Sequence, residues 1–182
     1  MSRLCLHVPE LNEFWYRKKL MEDPETMSYN RGYDLDFAGY DKETGCIAFP
    51  KEEWKSCYNY FVGNEPERFY AYLVNTENGE FVGEVNVHKS VGHDWYDMGI
   101  VIEAKHRGKG YANEGLRLLL HHAFIDMGAM ALHNSFEKSR NAALKAHEHA
   151  GFCKYSEENG VIELAIAKEQ FLNTETETEE EK

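Results

Sequence analysis

The segment Ile100–Phe124, IVIEAKHRGKGYANEGLRLLLHHAF, joins an apolar strand-like run to a long amphipathic pattern through a loop that holds two glycines and four basic groups. Ile100, Val101 and Ile102 are the β-branched end of a strand, and Leu116, Leu119, Leu120, Ala123, Phe124 and Met127 fall on one face of a helix expected over 112–127. Between them, Gly108 and Gly110 carry no side chain, so the backbone N–H groups from Arg107 to Ala112 are free to turn toward one point. The helix that follows adds its positive N-terminal end. The reading is an anion nest of pyrophosphate size. Lys105, His106, Arg107 and Lys109 are expected around it, where they would offset the repulsion between a polyanion and a chain of formal net charge −12.

Two known phosphate loops do not fit. A P-loop needs GxxxxGK[ST], but Glu103 stands five places before Gly108 and Gly110 follows Lys109. The dinucleotide fingerprint GxGxxG/A fails at Asn113, where a small residue must let helix close on strand.

Working outward, "FYAYLVN" and "FVGEVNVHK" are aromatic and β-branched runs separated by a turn at Asn78-Gly79, which predicts an antiparallel hairpin, and "WYDMGIVIE" supplies a third strand. Downstream, "MALHNSF" reads as a strand, "SRNAALKAHEHAG" as a helix stopped by Gly151, and "FCKYSEENGVIELAI" as a hairpin about Asn159-Gly160. Upstream, "PELNEFWYRKKLME" and "PKEEWKSCYNYFVG" each enter on a proline and read as helices. The stretch 23–49 mixes Tyr29, Tyr33, Phe37 and Tyr40 with glycines and acids, a long loop or short helical pieces suited to lining a substrate site. The order is helix, helix, three strands, helix, strand, helix, two strands. One domain is expected over 1–173, and the acidic TETETEEEK from Thr174 is expected to be a disordered tail over 174–182.

Composition restricts the partners. With 32 acidic against 20 basic side chains, the overall field repels nucleic acid and anionic membrane and favours cationic ligands. No apolar run approaches the roughly 20 residues of a membrane span. Cys5, Cys46, Cys57 and Cys153 form no CxxC pair and no signal peptide is expected, so a cytoplasmic address is the simplest expectation. His121-His122 and His147-Glu148-His149 lack the HExxH spacing, and no metal is expected.

The spacing Arg107-Gly108-Lys109-Gly110-Tyr111-Ala112, opening a helix directly after a strand, resembles the acetyl-CoA pyrophosphate loop [QR]xxGx[GA] of the GNAT superfamily of N-acetyltransferases. The resemblance extends from about Phe69 to Ile166. Gly99-Ile100-Val101-Ile102 is similar to the strand that pairs with the pantetheine arm, and "RNAALKAHEHAGF" is similar to the last family helix with its Gly-Phe exit. It implies an α/β (α+β) fold, a single GNAT-like domain whose mixed, mostly antiparallel sheet is flanked by helices. It further implies acetyl-CoA as co-substrate, held by Ile100, Val101, Ile102, Arg107, Gly108, Lys109, Gly110, Tyr111, Ala112 and Asn141, and direct attack by an amine without an acyl-enzyme.

The family pattern carries an Asn seven residues before a Tyr, and that Tyr sits four before the Gly-Phe glycine. Counting back from Gly151 gives His147 at the Tyr place and Arg140 at the Asn place, with Asn141 one position off. Either Asn141 still reaches the cofactor or Arg140 substitutes with a charged contact. Acetyl transfer needs a neutral amine, an oxyanion donor and a proton for the departing thiolate. For the base, Glu103, Asp97, Glu84 and His88 lie on or beside the central strands, with Glu103 the first choice. His147 is the acid candidate, because imidazole exchanges its proton near neutral pH, with water or Tyr155 the alternatives. The acceptor is a small-molecule or protein amine, and the chain is compatible with a homodimer. The rival readings are a non-catalytic CoA-binding module and a protein-interaction module that docks through the aromatic N-terminal region.

Overall fold

The structure, a computed structural model, describes residues 2–180, with side chains described through Thr174. Seven strands form one sheet in the order β1-β2-β3-β4-β5-β7-β6. They are β1 (Leu4–His7), β2 (Arg68–Asn75), β3 (Phe81–Lys89), β4 (Tyr96–Ile102), β5 (Ala131–Glu137), β6 (Cys153–Glu158) and β7 (Val161–Ala167). Every neighbouring pair is antiparallel except β4 with β5, which is parallel. The mixed, mostly antiparallel sheet flanked by helices is therefore as the sequence predicts, and the predicted elements follow in the predicted order, with β1 added before them and a helix after them.

Among the described residues, five helices flank the sheet: α1 (Trp15–Met21), α2 (Lys51–Phe61), α3 (Tyr111–His121), α4 (Asn141–His149) and α5 (Lys168–Glu180). The predicted N-terminal helix is divided, a 3-10 turn over Leu11–Phe14 running into α1, and a π-helical turn over His122–Asp126 continues α3. α2 starts after Pro50 with Glu52 and Glu53 at its positive end, and stops before Gly63, whose φ of +76° no side-chain-bearing residue adopts easily. Strand β1 is absent from the sequence prediction because four residues, LCLH, show no period against their neighbours. The tail expected from Thr174 begins inside α5, and its side chains beyond Thr174 lie outside the described residues.

Alternation along the strands builds two apolar layers. Phe69, Ala71 and Leu73 of β2, Val85 and Val87 of β3, Met98 and Ile102 of β4, and Leu132 and Phe136 of β5 point to one face, where α3 covers them with Leu116, Leu119 and Leu120. Tyr70 and Tyr72 point to the other face and pack with Phe14, Tyr16 and Leu20 from the N-terminal helical segment. This second layer is aromatic and contains a charge. Arg17 reaches in from α1, faces the rings of Phe49, Phe61 and Tyr70, and pairs with the buried Glu84 of β3, while the Tyr70 hydroxyl donates to the other Glu84 oxygen at 2.5 Å. Burial alone would lower the Arg17 pKa, but the facing Glu84 carboxylate more than offsets it and holds the guanidinium charged.

A buried carboxylate whose cation is removed is left uncompensated. Arg17→Met is expected to lower the unfolding free energy by about 3–5 kcal/mol in urea titration, and the double variant Arg17→Met, Glu84→Leu is expected to recover most of that loss. A double variant as unstable as the single one would show that aromatic packing against Arg17, and not the ion pair, holds α1 to the sheet.

Candidate active site

Strands β4 and β5 pair only at Tyr96↔Leu132 and Asp97↔His133. Beyond those pairs each follows a different neighbour, β4 staying with β3 as far as Gly83↔Ile102 and β5 with β7 as far as Glu137↔Val161. The result is a V-shaped seam through the sheet whose apex is Asp97 and His133. Along it, the edge of β4 from Met98 to Ile102 that faces β5 has no neighbouring strand, and its backbone groups, apart from the Ile102 carbonyl that Arg107 takes, are donors and acceptors for an extended molecule. Ile100 and Ile102 point to the α3 face, and Val101 lies between them on the opposite one.

At the wide end lies the glycine loop. Gly108 and Gly110 have φ of +75° and +82°, and Gly110 is the residue on which α3 begins. A Cβ at Gly108 would touch nothing within 4 Å, so the backbone here stands open to solvent at a helix N-terminus, the arrangement that accepts phosphate. Tyr111 is anchored rather than free, its hydroxyl accepting a 2.9 Å bond from Asn75 Nδ2, and Ala112 packs against the core behind the loop.

The basic side chains divide in a way that the sequence reading did not anticipate. Lys109 and Arg107 are both exposed beside the nest, but the Arg107 guanidinium is occupied, donating to the carbonyls of Ile102 at 3.2 Å, Glu25 at 3.1 Å and Thr26 at 2.5 Å. Lys105 pairs with Glu80, and His106 is buried, which pushes its pKa below the ordinary value. One residue missed from sequence is Arg3. It lies beside the loop, bonds the Lys109 carbonyl at 3.1 Å, pairs with Glu114 at 3.1 Å and stands over the Tyr111 ring. Its only signal was a cation next to a strand too short to read.

The segment 25–33 crosses the wide end of the seam. Thr26 Oγ1 accepts from the Ala104 N–H at 3.0 Å on the β4 side. On the β5 side, the hydroxyls of Tyr33 and Ser139 meet at 3.2 Å, and Arg140 lies over the rings of Tyr29 and Tyr33 while pairing with Glu137. Arg140 is thus occupied on the loop side, and Asn141 opens α4 with its side chain exposed.

Glu103 and His147, the sequence candidates for base and acid, occupy satisfied positions. The Glu103 carboxylate, 5% exposed, pairs with Lys19 at 2.5 Å and accepts from the Tyr16 hydroxyl at 3.2 Å. His147 is 2% exposed between the rings of Phe136 and Phe152. Its Nδ1–H donates to the Ala143 carbonyl at 2.8 Å, and its Nε2 accepts from Asn134 Nδ2 at 3.0 Å. In that tautomer no ring proton points into the seam. Among the described residues, no group of three or more His, Cys, Asp or Glu side chains is placed to hold a metal.

Burial pushes the His147 pKa below its ordinary value, with the Ala143 carbonyl opposing weakly. A folded-state pKa below the unfolded one means that the unfolded chain takes up the proton first, so stability present above about pH 6.5 is lost as pH falls below that value. The melting temperature of the parent is therefore expected to drop between pH 7 and pH 5 more steeply than that of His147→Phe, read by thermal scans across that range. Parallel curves would show that the imidazole titrates alike in both states.

The comparisons with known proteins meet this geometry. The family model described as acetyltransferase (GNAT) domain matches residues 3–153. A GNAT-family acetyltransferase from Bacillus anthracis superposes with a TM-score of 0.70 at 18% identity, covering 92% of this chain and 96% of that one. Spermidine N-acetyltransferase from Vibrio cholerae, in a crystal structure with CoA and spermine, gives a TM-score of 0.74 at 18% identity and covers 95% and 100%. No curated protein sequence matches. At such identities the structural likeness speaks for the fold, and the family rests on the match from β1 through α4, which takes in the seam and the glycine loop together: this chain belongs to the GNAT family of acetyltransferases and is an acyltransferase.

Proposed function

We propose that this chain transfers an acetyl group from acetyl-CoA to a primary amine, by direct attack of the amine on the thioester. The observation that carries the reading is the continuity of the open β4 edge with the nest of Gly108 and Gly110, which together offer an extended backbone partner ending at a phosphate site. Acetyl-CoA supplies the activated acyl group; the chain supplies its placement. Backbone N–H groups of Met98–Ile102 take the amide and thioester oxygens of the pantetheine arm, Lys109 and Arg3 neutralise phosphate charge, and Asn141, at the open first turn of α4, is within the same end of the seam. Glu103 and His147 serve the scaffold in this reading, one fixing α1 to β4, the other packing α4 on β5.

For the acceptor we propose a small cationic amine. The net charge of −12 and the Asp97 carboxylate on the face opposite α3 favour ammonium over anionic acceptors. The Vibrio cholerae relative is named for spermidine, so spermidine is the first amine to test.

The test is thiol release from acetyl-CoA with a panel of amines that includes spermidine, an amino-acid amide and a lysine peptide. Release with at least one of them is expected, and silence across the panel would remove the reading. Gly110→Val places a β-branched residue at a φ of +82° and fills the phosphate approach. The nearest atom to the new Cβ is the mobile tip of Arg3 at 3.3 Å, so the fold is expected to survive with a loss of about 1–2 kcal/mol from the left-handed backbone. Acetyl-CoA affinity, read by titration, is expected to fall roughly tenfold or more, about 1.4 kcal/mol. Unchanged affinity would place the pyrophosphate elsewhere.

A further inference from the structure

We propose that His133, held by Asp97 at the apex of the β4–β5 seam, is the base that takes the proton from the acceptor ammonium. It rests on the transferase reading above and adds to it a residue that motif reading did not single out.

The geometry begins with the register. Asp97 and His133 are the last residues that β4 and β5 pair before they diverge, and both point to the face opposite α3. The His133 Nδ1–H donates to Asp97 Oδ1 at 2.8 Å. That fixes the tautomer and leaves the lone pair on Nε2. His133 is only 8% exposed, yet its Nε2 is buried with no hydrogen-bond partner. Burying an unpartnered polar atom costs stability, and in His133 that atom carries the lone pair of a ring whose other nitrogen Asp97 holds.

The surroundings hold the ring still and give that one atom no hydrogen-bond partner. Trp95 stacks on His133 with centroids 4.9 Å apart and an interplanar angle of 22°, and His93 stacks on Trp95 at 4.1 Å. Tyr155 closes the cluster edge-on, 5.3 Å from Trp95 and 6.4 Å from His133. Tyr155 is the extra residue of a bulge in β6, between Lys154↔Leu164 and Ser156↔Glu163, and small Ala165 of β7 lies between β6 and His133. The titratable and charged groups around the dyad are His88 of β3, whose Nε2 is 4.0 Å from the second Asp97 oxygen, His93 before β4, Tyr155 of β6, and Glu163 of β7, which Ser156 bonds at 2.6 Å. Rings and carboxylates on one side suit an ammonium group.

Distance supports the same place. From Ile102 beside the glycine loop to Asp97 is five residues of strand, about 17 Å, so an extended arm laid along β4 from the nest delivers its thioester toward the apex. The proton balance is then complete. A primary amine arrives as R–NH3+, and His133 Nε2 takes one proton to leave the nucleophilic lone pair. The C–N bond forms at the thioester carbonyl, the C–S bond breaks, the nitrogen's second proton passes to the departing thiolate to give CoA–SH, and His133 returns its proton to solvent. Asp97 acts through His133 and is a positioning residue.

The test compares two amines by thiol release at pH 7.5: spermidine, whose amines are protonated, and hydroxylamine, a weakly basic amine that is already neutral. His133→Gln and His133→Phe, the second keeping a ring between Trp95 and Tyr155, are expected to lower kcat with spermidine by about 10²-fold or more, with the KM for acetyl-CoA within about threefold of the parent. With hydroxylamine the loss is expected to be less than about threefold. Asp97→Asn, which leaves the ring its neighbours but not its tautomer, is expected to lower kcat with spermidine at least tenfold and likewise spare hydroxylamine. Equal losses with both amines would make the cluster structural, and parent-like turnover of spermidine by either His133 variant would remove the assignment. A parent inactive with every amine would remove the transferase reading itself, an outcome distinct from both.

Discussion

Everything in this molecule depends on how few residues join β4 to β5. Two pairs, Tyr96↔Leu132 and Asp97↔His133, hold a four-strand half-sheet to a three-strand one, and the parallel register is the only one of its kind in the sheet. Each strand satisfies its backbone on the far side, so the seam can open without breaking either half. A continuous sheet would have no free edge for an extended ligand and no apex at which residues from two strands converge. The divergence leaves each half-sheet complete on its far side, and the tightly packed layers on either face are what stabilise it.

The two faces of the sheet divide the labour. One is plain aliphatic packing beneath α3, with glycine allowed close to the helix axis at Gly115, where an added Cβ would meet Leu73 at 2.6 Å. The other carries polar side chains of β3, β4 and β5, Glu84 and His88 on β3, Asp97 across from His88 on β4, and His133 across from Asp97 on β5. Such groups would be costly beneath an apolar helix. They persist because part of that face is covered by an aromatic layer with its own cation, Arg17, and the rest remains partly open.

The sequence revealed the fold well where its signals were local. Asn78-Gly79 and Asn159-Gly160 marked hairpins, Gly110 and Gly151 bounded helices, and the loop motif located α3, because each depends on backbone conformations that few residues adopt. It revealed the site unevenly for the opposite reason. Arg107 stands where a motif reader expects a phosphate contact, but its partners are carbonyls 81 and 82 positions away in sequence, which no spacing announces. His147 sits in the register of a catalytic acid, yet the polar group that claims its Nε2 is Asn134 on a neighbouring strand. His133 and Asp97 are 36 residues apart, and only strand pairing makes them one unit. Arg3, on a four-residue strand, lay below the length at which periodicity speaks.

The occupied guanidinium of Arg107 has a mechanical consequence. Its guanidinium joins the end of β4 to the backbone of Glu25 and Thr26, the same segment that reaches Ser139 and Arg140 across the seam. The glycine loop that follows Arg107 and the tyrosine segment that borders the opposite face are therefore tied together at the wide end of the seam, and removing the guanidinium would leave three carbonyls to find other donors. A single arginine spent on three carbonyls sets the spacing between two segments more than seventy residues apart in sequence.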